Sequence, residues 1–120
     1  MRDYVAPESL SREQVADLLE LDEAPALVTV PISVSLHSDD LPWAQEVCLR
    51  LSSYRDERVR ANAVLSFGHL ARRFRRLDLA RVLPVVENAL ADSSPEVRGQ
   101  ADAAAEDIEL FLGCVVSRPA

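Results

Sequence analysis

Apolar positions along the chain fall into helix-spaced runs separated by short polar breaks. The clearest run, residues 56–74, reads DERVRANAVLSFGHLARRF. There Val59, Ala63, Phe67, Leu70, Ala71 and Phe74 trace one face of an α-helix, with Asp56 at the position of an N-cap. Nearer the N-terminus, Ser11 and Gln14 form a capping-box pattern ahead of Val15, Leu18, Leu19 and Leu21, which predicts a helix over 11–21. Residues 22–25 read as a loop. The stretch 26–37, ALVTVPISVSLH, alternates β-branched residues with Thr and Ser as a strand would, and Pro31 interrupts it. A lone strand among helices would leave its backbone groups unpaired, so the expectation is a buried helix kinked at Pro31. Asp39 and Asp40 offer caps, with Pro42 in the first turn of a helix over 41–52. In that helix Trp43, Val47, Cys48 and Leu51 face inward, Trp43 as a core edge or an interface anchor. A helix over 79–91 contains Pro84 and should kink there. Ser94, Pro95 and Glu96 open a last helix that Gly113 ends at Leu112. Residues 1–9 lack periodicity and are expected along the surface, and 114–120 form a tail.

The last helix repeats the plan of the 56–74 run. Val97 and Arg98 stand where Val59 and Arg60 do, and Ala101 where Ala63 does, 38 positions later. Two helix-pair units at that spacing imply an all-α fold, a short right-handed α-solenoid of about 5–6 helices. A single domain over 1–120 then divides into N-terminal capping helices (11–37), repeats (40–112) and a tail (113–120).

Composition adds to this picture mainly through charge. Hydrophobic residues make up 48% of the 120, enough for one core. All 13 basic residues are arginine, and the net charge is −7. Nine arginines between Arg50 and Arg81 face three acids, a local balance of +6, while the remainder carries −13. So acidic a chain disfavours general affinity for nucleic acid or an anionic membrane and favours a basic protein partner. The longest uncharged stretch, 24–38, is broken by Pro25 and Pro31 and is too short to span a membrane. The opening MRDYVAPESL lacks the apolar run of a secretory signal, so the expectation is a cytoplasmic protein with Cys48 and Cys114 as reduced thiols.

Asp56, Val59, Arg60, Ala63, Phe67, Gly68 and Leu70 together resemble the B helix of a HEAT repeat. The resemblance implies that Asp56 caps the helix and that Arg60 and Arg98 join a polar ladder between repeats. The second copy departs from the pattern, with Ser94 in place of the Asp and Ala105–Glu106 in place of Phe67–Gly68. The runs FGHLAR (67–72) and VRGQADAAAEDIELFLG (97–113) resemble small stand-alone bacterial HEAT-like proteins, some of which accompany toxins as immunity proteins.

Three constellations are candidates for binding. Asn62 and His69 map onto Gln100 and Asp107 across the repeat and would form a row on a concave face, although His69 serves equally as a local inter-repeat hydrogen-bonding group. Asp102, Glu106 and Glu109 run at i, i+4 and i+7 with no basic residue from Gly99 to Ser117. That acidic strip either meets a basic partner or pairs within the chain. Arg72, Arg73, Arg75 and Arg76 either form an anion-binding patch or complement the helix C-terminus. Catalysis finds no such pattern. His37, His69 and the two cysteines lack zinc spacing, the three glycines form no phosphate loop, and neither a metal nor a cofactor is expected.

These expectations describe a non-catalytic immunity protein, a monomer or weak dimer, that covers the basic cleft of a toxin or nuclease domain. The alternatives are a scaffold or accessory subunit and, through the arginine cluster, a nucleic-acid binder.

Overall fold

A computed structural model describes residues 8–119; the expectation for 1–9 therefore lies, up to residue 7, outside the described residues. The chain forms α1 (Arg12–Leu21), α2 (Ala24–Leu27), α3 (Val30–His37), α4 (Leu41–Leu51), α5 (Glu57–Phe74), α6 (Leu79–Ala89) and α7 (Pro95–Leu112), with no strand among the described residues.

Local chemistry sets the helix boundaries. Ser11 and Gln14 close the capping box reciprocally at 3.0 and 2.8 Å. Asp40 accepts from the Trp43 amide at 3.1 Å, Asp56 from that of Arg58 at 2.8 Å and Ser94 from that of Val97 at 3.3 Å. Gly113 ends α7 in the left-handed region at φ 71°, a conformation that glycine adopts without a Cβ penalty. Pro84 lies inside α6 with its ring exposed.

Residues 22–37 differ from expectation. The stretch is helical, but it forms two helices rather than one kinked at Pro31. The chain breaks at Val28 and Thr29, and Pro31 sits in the first turn of α3, where its missing amide costs nothing. The predicted loop over 22–25 is likewise shorter, because Ala24 and Pro25 already belong to α2. The extra single turn brings the helices among the described residues to seven; of the six expected, five lie within a residue or two of their expected bounds and the one over 26–37 is shortened to 30–37.

Helix α5 is the centre of the molecule. It packs most extensively on α7 and also contacts α3, α4 and α6, so it is buried from several sides. Its interior side chains include Val59, Val64, Phe67 and Leu70, each 0% exposed, and burying a side chain of that size stabilises by about 1.5–3 kcal/mol. The contact with α7 is backbone-close at Gly68, where a Cβ would stand 3.2 Å from Ala104 Cα and 2.9 Å from Asp107 Oδ2. A polar staple reinforces the same pair of helices. Arg60 grips Asp92 through two hydrogen bonds of 3.1 Å and also donates to the Tyr54 and Arg55 carbonyls, both at 3.0 Å. Arg98 donates to the Asp92 carbonyl at 2.7 Å. Cys48 is buried against this core, and desolvation pushes its thiol pKa up to about 12.

Candidate protein-binding surface

The row expected across α5 and α7 is unevenly available. Asn62 turns inward and donates to the Val28 carbonyl at 2.7 Å, tying α5 to the break between α2 and α3. His69 is half-buried, with its Nδ1 2.9 Å from Arg72 Nη2. A guanidinium only donates, so Nδ1 is the acceptor and the ring proton sits on Nε2. Burial holds the His69 pKa below its usual value, the Arg72 charge lowers it further, and Asp107 opposes both. Gln100 and Asp107 are half-buried on α7, the Asp107 carboxylate lying over Gly68.

The acidic strip is present but partly engaged. Segment 113–119 docks against the helices: Val116 is buried, its amide donates to Glu109 at 3.0 Å, and the Ser117 amide donates to Glu87 of α6 at 3.0 Å. Arg118 then forms a two-point pair with Glu109 at 3.0 and 3.1 Å and reaches Asp102 at 3.7 Å. These contacts draw the Glu109 pKa below the ordinary carboxylate range, with Arg118 as the leading cause. Glu106, fully on the surface, has no hydrogen bond or ion pair among the described residues and feels Arg118 only at longer range.

The arginine cluster is largely built into the fold. Arg73 donates to the Ser35 and Ser38 carbonyls at 2.8 and 2.9 Å, closing the C-terminal end of α3, and lies 3.6 Å from Asp39. Arg75 stacks over the Phe111 ring at 4.8 Å, a bridge from the end of α5 to α7. Arg72 is committed to His69, which leaves Arg76 at the rim of a groove of about 410 Å³ between α4 and α6. Trp43 is half-buried under the Arg12 guanidinium, 5.0 Å from the ring centre, as a core-edge residue would be.

Three contributors were not singled out from sequence. Arg118 lies in a tail with no periodicity, and nothing local signals that it returns to α7. Asp92 is the acid that Arg60 grips, two residues before Ser94, the position that corresponds to Asp56 in the second copy. Leu110 was legible: it falls off the apolar stripe of Val97, Ala101, Ala104, Ala105 and Ile108, and it is 74% exposed. Val115, just past the α7 cap, is 82% exposed.

Fold and surface together define a protein that is all-helical among the described residues and whose last helix presents acids and an apolar side chain to solvent. Among the described residues no helix is long and apolar enough to cross a membrane. No protein-family model matches the chain, and neither does any curated protein. A solved structure does: a chain of the contact-dependent inhibition (CDI) complex from Cupriavidus taiwanensis superimposes with a TM-score of 0.77 at 25% identity, covering 92% of this chain and 97% of that one.

Proposed function

We propose that this chain is a cytoplasmic immunity protein that neutralises a bacterial toxin by covering its basic active-site cleft. The observation that carries the reading is the likeness to a chain of a CDI complex over nearly the full length of both chains. Of the two kinds of component in such a toxin–immunity complex, the non-catalytic one fits this surface better. Its Cys48 thiol is buried with a raised pKa, which keeps it from acting as a nucleophile, and its last helix exposes acids. The polar staple between α5 and α7 supports the HEAT-like reading, a short right-handed α-solenoid in which Arg60 and Asp92 link successive helix pairs. The binding face comprises Gln100, Asp102, Glu106 and Asp107 with His69 and Arg72 at its edge. Asn62, Arg73 and Glu109 support it through contacts within the chain. The chain acts as a monomer or weak dimer, and its electrostatic complementarity to a basic partner sets the association rate.

The test is to express the tagged protein in its own host and identify what co-purifies at low salt and leaves at high salt. A single basic toxin, lost when Asp102, Glu106 and Asp107 are reversed to lysine, is the expected result. Recovery of a housekeeping assembly insensitive to those reversals would overturn the reading in favour of a scaffold. A nucleic-acid role through the arginines has less support, since Arg73 and Arg75 are already engaged in the fold.

A further inference from the structure

Helix α7 is more open than α5, the other 18-residue helix, with five buried residues against nine. Its inner side rests on α5 and α6, and its outer side carries Gly99, Asp102, Ala103, Glu106 and Leu110. Leu110 follows Glu106 by one helical turn, so an apolar and an anionic side chain stand next to each other on the surface. Neither is used by the fold: Leu110 is 74% exposed, and Glu106 has no ion pair or hydrogen bond among the described residues. Gly99 lies further along the same face, where a Cβ would meet no atom within 4 Å. A glycine inside a helix weakens it, and here no close contact within the chain requires one. Its absent side chain leaves the outer face flat, open to another backbone.

We infer that the outer face of α7, centred on Leu110 and Glu106, docks a basic protein segment presenting an arginine flanked by an apolar side chain. The inference rests on the immunity reading and locates the energetic centre of that contact on the outer side of α7 rather than in the α5–α7 row. Charge complementarity selects the occupant, because no basic residue occurs between Gly99 and Ser117. The chain itself demonstrates the chemistry: one turn from Glu106, the strip already grips a guanidinium in the two-point pair of Arg118 with Glu109. Leu110 supplies the apolar anchor that an acidic strip alone lacks, and Arg118 occupies the rim of the same surface as a competitor of the incoming arginine.

Two measurements test this on the full chain. In the first, an NMR titration with a synthetic peptide of alternating arginine and leucine should shift the amides of Glu106 and Leu110 more than those of His69 and Asn62. In the second, neutralisation and affinity are measured with the toxin recovered from the host. Glu106→Lys and Leu110→Ser should each weaken binding by roughly 30-fold or more, and Arg118→Ala should tighten it several-fold. Both weakening variants alter exposed side chains, and unchanged thermal unfolding shows that they fold. Toxin binding that survives both substitutions but fails in His69→Ala or Asp107→Lys would overturn the inference and leave the immunity reading standing. Peptide shifts at Glu106 and Leu110 without a toxin partner would overturn the immunity reading and keep the docking face. Absence of both would overturn the two together.

Discussion

Helices α5 and α7 share a sequence plan and a length of 18 residues, yet the structure uses them in opposite ways. Helix α5 has nine buried residues and α7 has five. The difference follows from position: α5 packs against α3, α4, α6 and α7, whereas α7 packs against α5 and α6 and is met by the 113–119 segment. The central copy is therefore buried at half of its positions, down to the glycine at its closest backbone contact. The edge copy needs only its inner stripe, and its remaining positions are free to carry acids, an exposed leucine and an unexplained glycine. A repeated motif fixes the packing of its members, and the absence of a next neighbour decides which of them can bind.

The largest expected effect comes from breaking the centre. Phe67→Ala empties a fully buried site in α5 and should cost about 3–5 kcal/mol in chemical denaturation. Leu110→Ser on α7, exposed as it is, should leave the same denaturation curve unchanged. Next comes the link between the two helices. Arg60→Ala leaves the part-buried Asp92 without its two hydrogen bonds and should cost roughly 2 kcal/mol; if the double variant with Asp92→Ala is no less stable than the single one, the two residues act as a coupled pair.

The glycines sharpen the contrast by sign. Gly68→Ala presses a methyl group against the Ala104 backbone and should destabilise, the cost of shifting the α7 backbone outweighing the gain in helix propensity. Gly99→Ala meets open space and should stabilise by about 0.5–1 kcal/mol. Equal signs for the two would contradict the assignment of centre and edge. The smallest effect is on pH dependence. His69 has a lowered pKa in the folded protein, so the unfolded chain takes up a proton first as pH falls below 6.5. Stability is therefore fully present above that value and declines below it, until the folded state also protonates. In His69→Gln, stability plotted against pH should be flatter just below 6.5.

Much of the helical plan was legible because caps and apolar spacing are local signals. Ser11, Asp40, Asp56, Ser94 and Gly113 each end or begin a helix as their chemistry implies. The 26–37 stretch was harder to read. Its β-branched residues favour a strand locally, and only burial among helices overrides that preference, with the break placed just ahead of Pro31. The candidate surface was legible as charge but not as availability. Asn62 looked free on the face of α5, yet its partner, Val28, lies 34 residues away, and Glu109 looked like part of an open strip until Arg118 returned to it. Periodicity along one helix carries no record of which distant group will claim a side chain.

The docked segment 113–119 has a consequence for how α6 and α7 hold together. It bridges α6 and α7, with Val116 buried, the Ser117 amide on Glu87 and the Val116 amide on Glu109. Here the chain's own segment crosses the seam between α6 and α7, holding Glu87 and Glu109 through its backbone amides. The segment works as a clasp: α6 and the C-terminal half of α7 are tied together by the chain itself, while Glu106 and Leu110 stay outside it.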